Sequence, residues 1–344
     1  MKKTILILVC FISMYVVKSP VFAEEPAFSV KAVLPANQQG DATSYFNLKM
    51  KPGQEQELEV ALHNATDKDL TIEAAANTAF TNGNGIVDYN ATKRPMDESL
   101  KHGFGALAEI AEKEIIVKAK SKATAKIKVK MPDEEKNGVI LGGIVFSEKE
   151  QATDGAESAK LQNRFSYTIG VVLSQNDTLV KPNLNLGEIK AAQQNYRNKI
   201  TANLQNDQAV IIRDLAIKAE VFRENGSKAL FEQQSKKLRM APNSNFDYAI
   251  HTQDQPLKPG NYTLKLTAAS GEDSWAWERD FKIDKETASD LNDTALDLDK
   301  GGWSTIGFIA AIIILLGLVI VLFWRQHETK KKLGMKKRSE EDES

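Results

Sequence analysis

Cysteine is almost missing from this 344-residue chain: there is one, Cys10, inside an apolar stretch near the start. Whatever folds beyond that stretch has no disulfide to rely on and must stand on hydrophobic cores alone. Histidine is scarce too, four residues in all. None forms an HExxH pair, and GxSxG, CxxC and GxxxxGK[ST] do not occur, so the enzyme classes with short sequence signatures have no support. Paired carboxylates of the glycosidase kind come from distant strands and leave no such signature, so they stay open. An excess of one charge is also lacking, with 45 basic and 46 acidic residues for a net charge of −1. No field therefore steers the chain toward nucleic acid. The sequence has no convincing long amphipathic helix, and no LPxTG stands ahead of its long apolar run; LPANQ at Leu34 lies at the wrong end for a sortase signal.

What is present begins with the two ends. Trp303–Trp324 reads WSTIGFIAAIIILLGLVIVLFW, without charge or proline, between an acidic DLNDTALDLDK and a tail that opens with Arg325 and the KKK and KKR clusters. At ~1.5 Å per residue it reaches roughly 33 Å, enough for a hydrocarbon core of about 30 Å. The basic flank predicts a cytoplasmic tail over 325–344. Met1–Ala23 has a basic start, an apolar middle and a Val21-Phe22-Ala23 close, the pattern of a cleaved signal peptide, so the mature chain is expected to start near Glu24. The roughly 280 residues between suffice for about two domains, placed outside the cell. An exported region of this size without disulfides fits a Gram-positive bacterial surface better than an animal one.

Period-two alternation dominates that region. Leu58, Val60 and Leu62 alternate with Glu57, Glu59 and Ala61, and Ala125, Ile127, Val129 and Met131 alternate with lysines. Each pattern predicts a strand with one wet face. EIIVKA, GVILGGIVFSE and RFSYTIGVVLSQ add further strands. After PNLNLGEI a second series begins: Ile200, Ala202 and Leu204; Leu215, Ile217, Ala219 and Val221; Phe246, Tyr248 and Ile250; Tyr262, Leu264 and Leu266; then Trp275, Trp277, Phe281 and Ile283. About seven short strands per unit predict an all-β region of two tandem immunoglobulin-like β-sandwiches, over 28–180 and 181–284. One helix-like stretch near Phe104–Glu114 reads as an excursion from the first sandwich, and acidic 285–302 as a flexible stalk.

Two features could carry binding. In AFTNGNGIVDYN, residues Thr81, Asn82, Asn84, Asp88 and Tyr89 combine hydrogen-bonding groups with an aromatic face, a mixture suited to a sugar polymer, although an Asn-Gly hairpin turn looks the same. The same oxygens include a single carboxylate, thin support for calcium, so no metal or cofactor is expected. Trp275 and Trp277 share a strand face with Phe281, which reads as core packing, or as a patch for a protein partner if one ring lies outside. The lysine row of TAKIKVKMP could bind an anionic wall polymer but is commonly just a solvated face.

FSVKAVLPANQ, SYFNLKMKPGQEQELEVALHNAT, AFTNGNGIVDY and GVILGGIVFSE together resemble the peptidoglycan-binding domain of the WxL-interacting protein family of Gram-positive bacteria. FSYTIGVVLSQ, NLNLGEIKA, NLQN and LKPGNYTL resemble that family's second domain. The resemblance implies a non-enzymatic, membrane-tethered adaptor that holds peptidoglycan with its first domain. The second would engage WxL-domain surface proteins, or host extracellular proteins in some members. Residues alone leave two alternatives, an assembly chaperone that captures an exported strand at a sheet edge and a wall hydrolase. They also leave the boundary open, near Asn163 by the family's division or near Val180 by strand counting.

Overall fold

Alternation along Glu55–Asn64 sends Leu58, Val60 and Leu62 inward, fully buried, and leaves the glutamates wet. The computed structural model that shows this describes residues 26–91, 95–149, 165–296, 298, 309–322 and 324. The signal-peptide expectation, the basic tail, the polar loop around Ala152–Asn163 and residues 303–308 of the apolar run lie outside them.

The first sandwich uses β1 (Phe28–Val33), β2 (Phe46–Lys49), β3 (Glu55–Asn64), β4 (Leu70–Thr78), β7 (Ala108–Ile110), β8 (Glu114–Val117), β9 (Lys122–Lys130), β10 (Val139–Glu148) and β11 (Ser166–Ser174). One sheet runs β1-β3-β9-β7 and the other β2-β11-β10-β4-β8. Pairing is antiparallel except between β11 and β2, which run parallel. Phe28, Phe46, Leu48, Ile72, Ile127 and Phe146 meet between the sheets. Losing such a buried ring typically costs about 3–5 kcal/mol.

Strand β11 lies between β2 and β10, within the second sheet of the first sandwich. A two-stranded ribbon, β5 (Phe80–Thr81) with β6 (Val87–Asp88), projects from the end of β4. The helix-like stretch is a single turn, α1 (Phe104–Leu107), followed directly by β7. Its Phe104 presses on Gly142, where an added Cβ would stand 2.2 Å from the ring. That close approach pins the loop ahead of α1 to the end of β10.

The second sandwich uses β12 (Leu184–Gln194), β13 (Arg197–Asn206), β14 (Ile212–Arg223), β15 (Phe231–Met240), β16 (Ser244–His251), β17 (Gly260–Ser270) and β18 (Asp273–Ile283). Sheet β12-β13-β16 faces sheet β15-β14-β17-β18. Asn195 and Tyr196 both take positive φ, 51° and 59°, as a two-residue hairpin between β12 and β13 requires. Every predicted inward residue from Ile200 to Leu266 is buried.

The expected stalk over 285–302 needs correction. Its first part is α2 (Lys285–Thr294), capped by the Asp284 carboxylate, which accepts from Thr287 N at 2.8 Å. Ala288 is buried and Leu291 packs on the second core. Asn292 is held from both sides: its amide donates to Leu257 O (2.8 Å), and its oxygen accepts from Leu257 N (2.9 Å) and Asn198 Nδ2 (2.8 Å). The helix closes one end of the sandwich because Ala288 and Leu291, three apart, share a face. Beyond it, residues 309–322 are helical and exposed. Among the described residues no helix is long and apolar enough to cross a membrane.

Candidate binding cleft at the domain seam

The Asn-Gly ribbon, read from sequence as a sugar-binding loop, is docked on the second sandwich. Thr81 is fully buried there, 2.6 Å from Ser244 Oγ, and it accepts from Ala241 N at 3.0 Å. Gly85, at φ 67°, offers its carbonyl to Arg239 N at 2.8 Å, and Leu238 fills the space where a Cβ would stand. Asn82 turns inward on the ribbon itself, its oxygen accepting from Asn84 N (3.0 Å) and its amide donating to Asp88 (3.2 Å). Burial would raise the Asp88 pKa, but bonds from Asn90, Asn82 and the Tyr89 backbone outweigh it and hold the carboxyl below its ordinary value. Tyr89 lies against Gly143 of β10, and burial pushes its phenol upward. The five residues do form one cluster. Thr81 has no free face, however, and Asn82 and Asp88 satisfy each other, so the cluster fastens the domains rather than presenting an open sugar platform. The local sequence specifies the turn and carries no signal for what the turn rests on.

A second fastening was not legible at all. Asp97, 8% exposed, accepts from Ser99 Oγ (2.6 Å), Gln205 Nε2 (2.9 Å) and the Asn245 amide, the last two across the seam. Desolvation alone would raise its pKa; the bonds from Ser99, Asn245 and Gln205 reverse that and lower it. A carboxyl with a depressed folded pKa contributes stability that is present above its unfolded value, near 3.9, and lost as pH falls through the folded one. Asp97→Asn is therefore expected to cost about 1.5–3 kcal/mol at neutral pH. The deficit should start to shrink as pH falls below about 3.9 and vanish once it passes the depressed folded value, where the wild type also loses the charge. Urea unfolding at pH 7 and pH 3 would check it, and an equal deficit at both would rule out the ionised carboxylate as the cause.

Between these fastenings the seam opens into a cleft of about 410 Å³. Its walls are the end of β4, the loop Ser99–His102, the β9–β10 loop from Met131 to Gly138, the end of β11, and the turns Asp207–Ala209 and Pro242–Asn243 of the second sandwich. Gly138, at φ 88°, permits the close approach: a Cβ there would lie 2.2 Å from Ala209 O, and Val139 N donates to that same carbonyl at 2.8 Å. Leu100 and Ile140 supply apolar surface, Asn137, Gln208 and Asn243 amides, Lys101, Lys136 and His102 basic or polar tips, and Glu135 and Asp207 carboxylates. Phe, Tyr and Trp do not occur in the lining. The mixture suits a small ligand with methyl groups, amides and charged ends.

Elsewhere the surface is self-satisfied. The lysine row on β9 faces glutamates of β3, with Lys126–Glu57 at 2.8 Å and Lys128–Glu55 at 2.9 Å, so its charge is largely neutralised. Trp275 and Trp277 are half-buried on edge strand β18 and pack against the second core. No group of three His, Cys, Asp or Glu suited to a metal occurs among the described residues.

A family model described as the WxL-interacting protein peptidoglycan-binding domain matches residues 28–148. A second, described as the WxL-interacting protein host-binding domain, matches 156–293. No curated protein matches the chain. Among solved structures it is similar to the YadV chaperone, with 11% identity, a TM-score of 0.31, and 75% of this chain and 100% of that one covered. It is similar also to the E. coli chaperone DraB, with 13% identity, a TM-score of 0.28, and 75% and 98% covered. The CsuC–CsuE pre-assembly complex of Acinetobacter baumannii gives 11% identity, a TM-score of 0.32, and 65% and 91% covered.

Proposed function

We propose, because the chain belongs to the WxL-interacting protein family, that it is a cell-surface adaptor: the first sandwich holds peptidoglycan and the second engages a WxL-domain surface protein or a host protein. The observation that carries this reading is the pair of matches in tandem, together spanning both sandwiches. Both models describe binding domains, so the reading is of binding and not of catalysis. The firm seam supports it physically, since an adaptor that joins a wall polymer to a protein transmits force between its two modules. Trp303–Trp324 would tether the adaptor in the membrane, with the basic tail inside and both sandwiches in the wall.

Full-length protein in mild detergent is expected to sediment with purified Gram-positive cell walls and, separately, to capture a purified WxL domain. Loss of both ends the adaptor reading. On intact cells, added protease should degrade both sandwiches and spare the tail; a protected second sandwich would contradict the orientation.

A further inference from the structure

We infer that the seam cleft is the peptidoglycan site and that what it takes is the stem peptide, not the glycan strand. The inference deepens the adaptor reading and rests on it. Four observations converge. The cleft's volume, about 410 Å³, is on the scale of a short peptide of small residues, at the lower end of the about 300–1,000 Å³ usual for ligand sites. Its lining has none of the Phe, Tyr or Trp faces on which a pyranose ring would stack. Leu100 and Ile140 match alanine methyls, while the Asn137 amide and the Asn243 oxygen, whose companion atoms Asn137 Oδ1 and Asn243 Nδ2 are taken by Asn176, Ser99 and Asp207, offer the donor and acceptor that a peptide bond requires.

The fourth observation is charge. Lys136 is already paired with Glu134 at 2.8 Å, whereas Lys101, exposed at the mouth beside His102, forms no ion pair among the described residues. A stem peptide carries carboxylates at its acidic residue and its free end, and Lys101 is placed to receive one as a charge-assisted bond. Because Asn243 and Gln208 come from the second sandwich, the ligand would bridge the seam, and wall attachment would stiffen the link between the two modules.

The test uses full-length protein in detergent and three probes: intact walls, walls stripped of peptide by an amidase, and the free pentapeptide L-Ala-γ-D-Glu-L-Lys-D-Ala-D-Ala. Expected are sedimentation with intact walls only, release by the pentapeptide, and a roughly tenfold weaker pentapeptide affinity for Lys101→Glu. His102→Trp, which narrows the mouth, should weaken it comparably with an unchanged melting temperature. Equal sedimentation with stripped walls overturns the cleft assignment and leaves the adaptor reading standing, as do variants that bind like wild type. Sedimentation with neither wall preparation removes the peptidoglycan reading and the cleft together.

Discussion

Cutting the chain between the two family-matched segments is expected to yield a first fragment, residues 26–149, that does not fold, whereas 26–180 does. The reason is β11. Its sequence falls in the second matched segment, 156–293, yet it pairs with β10 from Val139↔Ser174 to Ser147↔Ser166 and is the only described strand bonded to β2. Ile169, Val171 and Leu173 go into the first core at 6%, 0% and 0% exposure. Burying each contributes about 1.5–3 kcal/mol, so their joint loss rivals the about 5–15 kcal/mol by which a whole domain is stable. The cut would also bare the apolar edge of β10 and leave β2 without a sheet, which invites aggregation. Circular dichroism melts and size-exclusion profiles of the two fragments decide the matter. A cooperative melt from 26–149 would show that β11 is an ornament of the first sandwich and not a member of it. The longer fragment should itself melt below the full chain, because Thr81 and Asp97 then face water.

Strand identity and facing were readable because burial in a sandwich repeats every second residue, and the alternation at Leu58–Leu62 or Phe246–Ile250 reports it directly. Counting strands places β11 with the first series, and in the fold it lies between β2 and β10. Residues 284–294 misled because acidic composition reads as disorder, although Asp284 in cap position with Ala288 and Leu291 on one face was a helix signal in plain view. The seam was hidden for a different reason. Asp97 sits in a stretch without periodicity, and its partners Gln205 and Asn245 lie more than a hundred residues away. A contact between modules leaves no local pattern, so the ribbon's five residues were legible as a cluster, whereas its docking partner and the cleft beside it were not.

Replacing Asn206 by leucine is expected to cost the second sandwich about 3–5 kcal/mol, out of proportion to the small change in volume. Asn206 ends β13 fully buried; its amide donates to Val210 O at 2.8 Å and Ala241 O at 2.9 Å, and its oxygen accepts from Gln208 N at 3.2 Å. Leucine satisfies none of these, and each stranded buried group costs about 1–3 kcal/mol. Ala241 O keeps its bond from Ser244 Oγ, which holds the total below the sum of three. The first sandwich repeats the device: Asn64 ends β3 fully buried, donates to Lys68 O (2.7 Å) and Val117 O (3.0 Å), and accepts from Thr66 N (2.8 Å). Both LHN and LQN thus end a core strand on an asparagine that ties down the loop following it. In the second sandwich the tied residue also bears the seam, since Ala241 N donates to Thr81 Oγ1. Asn206→Leu and Thr81→Val should consequently be non-additive, with a coupling of at least about 0.5 kcal/mol in a double-mutant cycle read by urea unfolding. Additivity would mean that the two sides of the seam hold Ala241 independently, and a single-mutant loss under about 1 kcal/mol would mean that water reaches the groups Asn206 now serves.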